Sequence, residues 1–103
     1  MIVTNEPGYY EDGQFGIRIE NCMIVVRADT RYQYSSTVNF LRFEPLTLVP
    51  IQREFIDVSL LSIDELNWLN EYHAKCASII GDQLKKLNKI NIYNWLIEQT
   101  KPF

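Results

Sequence analysis

The sequence predicts an α+β fold in which a β-rich first half, carrying one hairpin, gives way to a helical second half. Three observations predict it. Residues 1–27 are rich in β-branched and aromatic side chains and are broken by an Asp-Gly turn signal in "YEDGQF". From Ser62 onward apolar side chains recur at spacings of three and four, the period of one helix face. A length of 103 residues with 47% hydrophobic content suits one small domain and carries no signature of disorder.

In chain order, "MIVT" and "FGIRIENCMIVV" have the composition of strands. Residues 28–39, "ADTRYQYSSTVN", are polar and read as a loop whose Tyr32 and Tyr34 are expected to pack on a neighbour. "FLRFEPLTLVPI" is an extended segment, and Pro45 and Pro50 suit an edge or crossing strand because proline has no N–H for a ladder. In "SIDEL", Ser62 stands as N-cap with Glu65 three residues on, a capping box, and Asp64 adds negative charge to the first turn. Leu66, Leu69, His73, Cys76, Ile80, Leu84 and Leu87 then line one helix face. A second short helix covers Ile92, Trp95, Leu96 and Gln99 and ends before Pro102.

Several function classes fall away. A net charge of -3 with dispersed arginines gives no electrostatic reason to expect nucleic acid or an anionic membrane as partner. Cys22 and Cys76 form neither a CxxC metal pair nor a disulfide framework and read as reduced thiols of an intracellular protein. The start lacks a signal peptide's basic and apolar regions, no apolar run approaches the ~20 residues of a membrane span, and the end is no lipid-anchor tail. A cytoplasmic location is expected.

The opening stretch "TNEPGYYEDGQFGIRIEN" carries the chemistry. If the hairpin closes through the three-residue loop Asp12-Gly13-Gln14, paired residue numbers sum to 26: Glu11 faces Phe15, Tyr10 faces Gly16, Gly8 faces Arg18, and Glu6 faces Glu20. Alternation then puts Glu6, Tyr10, Arg18 and Glu20 on one face and Tyr9, Ile17 and Ile19 on the other. Opposed carboxylates repel, so the pair needs water, a shared proton or a cation between them. The apolar "CMIVV" that follows Glu20 argues against free solvation, Arg18 offsets part of the charge, and hard oxygen donors facing one another suit Mn²⁺ or a similar ion. Pro7 signals a local irregularity. By contrast Glu44 reads as an exposed carboxylate and His73 as a packed or hydrogen-bonded side chain, while Trp68 and Trp95 belong to a core or interface.

Over nearly the whole chain, "TNEPGYYEDGQFGIRIEN", "FEPLTLVPIQ" and "LNWLNEYHAKC" resemble the carboxy-terminal portion of cytosolic Xaa-Pro aminopeptidases, the aminopeptidase P family of pita-bread metallopeptidases. The resemblance implies residues 1–51 as the end of the catalytic domain and residues 52–103 as a helical tail that contributes to a homodimer. Trp68, Tyr72, Trp95 and Leu96 are its interface candidates. The family holds two divalent ions, usually manganese, with two aspartates, one histidine and two glutamates. Glu6 matches a ligand of one ion and a proton relay, Glu20 the ligand that bridges both, and Tyr10 and Arg18 the residues that hydrogen-bond around the ligands. The implied reaction releases the first residue of a peptide with proline in second position, with the ions activating water and polarising the scissile carbonyl.

This chain departs from the family in lacking the paired aspartates and the histidine-rich "HGxGH" stretch, and His73 matches none of those positions. It is therefore expected to be part of a longer enzyme, needing the rest of the catalytic domain and inactive alone. The alternative is a non-catalytic interaction or dimerisation module derived from the same family.

Overall fold

The computed structural model describes residues 1–32, 34–35 and 38–103. Of the expected loop over residues 28–39, Gln33, Ser36 and Thr37 lie outside the described residues. The chain forms two compact units, Met1–Thr47 and Leu48–Phe103.

The first unit holds β1 (Ile2–Asn5), β2 (Gly8–Glu11), β3 (Phe15–Arg18), β4 (Asn21–Arg27) and β5 (Leu41–Pro45). β2 and β3 form the hairpin, closed through Asp12-Gly13-Gln14 with Gln14 N–H donating to the Glu11 carbonyl at 3.0 Å. Gly13 sits at φ +70°, the left-handed region that glycine enters without a Cβ penalty. β1 and β4 pair antiparallel in the same register, Thr4 opposite Cys22 and Asn5 opposite Asn21, so the sum of 26 holds from Ile2↔Ile24 to Glu11↔Phe15. Between the two ladders stand Glu6-Pro7 and Ile19-Glu20, outside any strand. Ile19 N–H still donates to the Pro7 carbonyl at 3.1 Å, but Pro7 has no N–H to return, and the long strand expected over residues 15–26 is divided there.

β5 pairs with β4 and is an edge of the three-stranded sheet β1-β4-β5, ending at Pro45 as the proline argument requires. Beyond Pro45 the chain stays tied to β4, for Leu46 N–H donates to the Cys22 carbonyl at 2.8 Å and Cys22 N–H to Thr47 Oγ1 at 2.8 Å. Glu44 is half-buried and ion-paired with Arg42. Tyr32 and Tyr34 are 76% and 86% exposed in this chain. The Arg31 guanidinium lies over the Tyr32 ring.

The second unit contains the buried apolar core, Leu69, Tyr72, Cys76 and Leu96. Two 3₁₀ turns, Arg53–Phe55 and Val58–Leu60, lead into α1 (Ile63–Lys86) and α2 (Ile90–Gln99). The Ser62/Glu65 capping box is formed as the sequence predicts. At the other end Asn88, at φ +54°, lets Lys89 N–H reach the Leu84 carbonyl and Asn88 N–H the Lys85 carbonyl, a paired closure that satisfies otherwise orphaned carbonyls. The predicted α1 stripe is buried or half-buried through Leu84, but Leu87, past the last helical residue, is 66% exposed. The stripe ends where the helix does. α2 turns Tyr93, Leu96 and Ile97 inward, with the Tyr93 ring close over Gly81 of α1.

His73 is wholly buried in this unit. Its Nε2 accepts from Ile51 N–H at 3.1 Å while Tyr72 next to it donates to the Val49 carbonyl, so residues 49–51 are drawn onto α1. This explains why the unit starts at Leu48. The accepting Nε2 fixes a neutral imidazole protonated on Nδ1, and Nδ1 is buried with no partner among the described residues. Burial, with the Arg53 cation nearby, holds His73 below its ordinary value of 6.5, against a smaller opposing effect of the Ile51 contact.

A depressed histidine contributes stability that is present above its unfolded value and lost as pH falls through the folded one. Thermal unfolding monitored by helical circular dichroism is therefore expected to shift to lower temperature as pH drops below about 6.5. His73→Gln, which keeps an acceptor but does not titrate there, is expected to flatten that dependence. An unchanged pH slope in the variant would contradict the assignment.

Candidate metal centre

The gap between the two ladders is where the carboxylates meet. Because the Ile19–Pro7 contact is a hydrogen-bonded position, the neighbouring pair of positions 6 and 20 falls in a non-hydrogen-bonded one, where opposed Cα atoms are closest, about 4.5 Å in regular sheets. Arg18 sits opposite Gly8, and its guanidinium reaches diagonally to Glu6 and toward Glu20 two residues on. Arg18 Nη1 donates to Glu6 Oε2 at 2.9 Å, and Nε stands 3.8 Å from Glu20 Oε2. One cation thus serves both carboxylates.

This corrects one part of the charge argument. Glu6 and Glu20 side chains are each 44% exposed and Arg18 49%, so solvent and Arg18 together compensate the pair in this chain. Such exposed ion pairs are worth about 0–1 kcal/mol each.

Two features of the site escape the sequence reading. Thr4 Oγ1 donates to Glu6 Oε1 at 2.6 Å, so both oxygens of Glu6 are held, one from its own chain segment and one from across the ribbon. The signal was present in "TNE", since residues two apart on an extended chain share a face. Tyr10 lies on the same face as expected, but its hydroxyl bonds to neither carboxylate; the ring rests over two glycines. A Cβ at Gly16 would stand 2.6 Å from Tyr10 Cδ1, and one at Gly8 would stand 2.8 Å from the Tyr10 hydroxyl oxygen. The glycines at 8 and 16 are the sequence trace of that seat.

Carboxylate oxygens gathered around one cation fit the chemistry of a hard or borderline divalent metal. Their number does not complete a site. Among the described residues no group of three or more His, Cys, Asp or Glu is placed to hold a metal ion. His73, whose Nε2 is engaged by Ile51, is no ligand here.

A three-stranded sheet continued by a carboxylate-bearing hairpin and followed by two helices is an arrangement seen in a dinuclear metallopeptidase. The chain superposes on the X-prolyl aminopeptidase of Caenorhabditis elegans, described as a cytosolic enzyme with a di-nuclear active site, with a TM-score of 0.87 at 46% identity, covering 99% of this chain and 16% of that one. Residues 39–103 match the C-terminal region of peptidase M24, and the chain belongs to that family. It is 45% identical over 102 residues to aminopeptidase P1 of Lotus japonicus and 46% identical over 102 residues to the Xaa-Pro aminopeptidase app-1 of C. elegans. Both alignments cover 99% of this chain but only 15% and 16% of those proteins, so the chain spans about one-sixth of the length of the curated relatives it matches. No helix is long and apolar enough among the described residues to cross a membrane.

Gly16→Ala is expected to displace the Tyr10 ring while leaving the helical unit intact. Tyr10 ring-proton shifts should move and the helical melting curve should not. Unchanged Tyr10 shifts would show that the ring does not rest on Gly16.

Proposed function

We propose that this chain forms part of the active centre of a dinuclear-metal aminopeptidase that releases the N-terminal residue from peptides with proline in second position. The observation that carries the proposal is the convergence of Glu6 and Glu20 on one cation, in a chain 46% identical to an enzyme described as having a di-nuclear active site. Glu6 would bind one ion and Glu20 bridge two, with manganese the expected metal. Bound there, the ions supply a nucleophile near neutral pH and polarise the scissile carbonyl.

The chain's own residues have narrower tasks. Arg18 reaches Glu6 and Glu20 from beside them, and Tyr10, seated on Gly8 and Gly16, lies on the same face. With metal bound, Glu6 would be placed to take a proton from the activated water and give it to the leaving proline nitrogen. Two ligands do not close a dinuclear site, so the chain by itself binds metal weakly and hydrolyses nothing. The remaining ligands come from the rest of the catalytic domain, which also accounts for the exposed apolar surface of the first unit: Ile2, Leu41 and Phe43 are 58–65% exposed. On this reading residues 1–51 belong to the catalytic domain of a cytoplasmic enzyme and residues 52–103 to its tail.

A second reading, a dimerisation module in that tail, rests on Ile92 and Trp95 of α2, which are 50% and 58% exposed. Trp68 is half-exposed and stacked on Tyr72. Tyr72 and Leu96 no longer count as interface candidates, because both are core residues of the unit, 4% and 3% exposed.

The test is a fusion in which this chain replaces the matching portion of the C. elegans X-prolyl aminopeptidase. Mn²⁺-dependent cleavage of an Xaa-Pro peptide is expected from the fusion and not from the free chain. Glu20→Ala in the fusion is expected to lose more than about 100-fold in kcat, beyond the range typical of groups that act only through a ligand. Full activity of that variant would overturn the ligand assignment.

A further inference from the structure

We propose that Thr4 is a positioning residue for the metal centre, its hydroxyl fixing the carboxylate of Glu6 for the incoming ion. The inference rests on the metal-centre reading above and extends it to a residue outside the carboxylate, tyrosine and arginine set.

Glu6 carries two hydrogen bonds of different kinds. Arg18 reaches Oε2 as a cation at 2.9 Å, and Thr4 reaches Oε1 as a neutral hydroxyl at 2.6 Å. A divalent ion arriving at Glu6 repels the guanidinium, because two cations compete for one carboxylate. The hydroxyl carries no charge, and a carboxylate oxygen that accepts one hydrogen bond keeps a second lone pair. Thr4 is therefore the contact that persists when the metal binds, and Arg18 the one that yields or shifts toward Glu20.

Thr4 is well placed to hold an orientation. Its backbone is paired with Cys22 in the β1–β4 ladder, and Cys22 is pinned in turn by its N–H to Thr47 Oγ1 and by its carbonyl from Leu46 N–H. A β-branched side chain on a paired strand has few χ1 rotamers available. Glu6, by contrast, lies in the gap where the ladder is interrupted, so its carboxylate is oriented through side-chain contacts. A rigid hydroxyl two residues away supplies what the missing ladder does not.

The test uses the enzyme fusion described above, with Mn²⁺ alone as probe and binding read from the loss of its free electron paramagnetic resonance signal. Thr4→Val keeps shape and branching and removes the donor. It is expected to weaken Mn²⁺ binding roughly tenfold, the lower end for an outer-shell change, with KM for the peptide unchanged at saturating metal. Thr4→Ser, which restores the hydroxyl, is expected to bind Mn²⁺ like the parent. Parent-like binding by Thr4→Val, or equal weakening by Thr4→Ser, would overturn the inference. Should Thr4→Val melt early, Thr4→Ala against Thr4→Ser provides the same comparison. Glu6→Ala separates the two levels: if it abolishes binding while Thr4→Val does not weaken it, only the role of Thr4 falls. If Glu6→Ala binds normally, the metal-centre reading falls with it.

Discussion

Where Ile19 N–H meets the Pro7 carbonyl, the antiparallel ribbon keeps its register but loses the return hydrogen bond that any other residue at position 7 would supply. The rest of the site depends on that half-made contact. Register continuity aligns Glu6 with Glu20 and puts Arg18 and Tyr10 on the same face. The interruption removes both glutamates from the regular ladder, so their carboxylates are oriented by Thr4 and Arg18 instead. A shift of one residue would send every one of these side chains to the opposite face.

The two units draw their order from different physics. In Leu48–Phe103 the apolar core of Leu69, Tyr72, Cys76 and Leu96 is backed by helix closures at both ends of α1 and by His73 clasping Ile51. Truncating a buried leucine such as Leu96 removes about 2–5 kcal/mol in cores of this kind, so this unit has stability to lose. In Met1–Thr47 backbone ladders carry the structure, and large apolar side chains on β1, β3 and β5 remain in water. A two- or three-stranded sheet without a covered face is marginal. A surface built to be covered and a ligand set built to be completed are consistent features of one segment.

Much of this was legible in residues. Asp12-Gly13 and strict alternation were enough for the hairpin register, because a tight turn leaves few pairings and each is tested by which side chains share a face. Ser62 and Glu65 marked the start of α1 through chemistry local to four residues. What stayed hidden was non-local. The reach of Arg18 from β3 to Glu6 is a contact across the ribbon. Tyr72 and Leu96 read equally as core or interface because periodicity gives the face of a helix but not what covers it. The assignment of Val49–Ile51 to the helical unit rests on hydrogen bonds to Tyr72 and His73 more than twenty residues away. Opposed glutamates suited a divalent ion but are also served by a guanidinium, and the family resemblance weighted the reading toward the metal.

The central proposal is that Glu6 and Glu20 are ligands of a divalent metal centre. Anomalous diffraction at the manganese edge from crystals of the fused enzyme tests it most directly. The account predicts two peaks, both within bonding distance of Glu20 and one of them also within bonding distance of Glu6. Manganese peaks remote from both glutamates, with the guanidinium of Arg18 still between them, would contradict it.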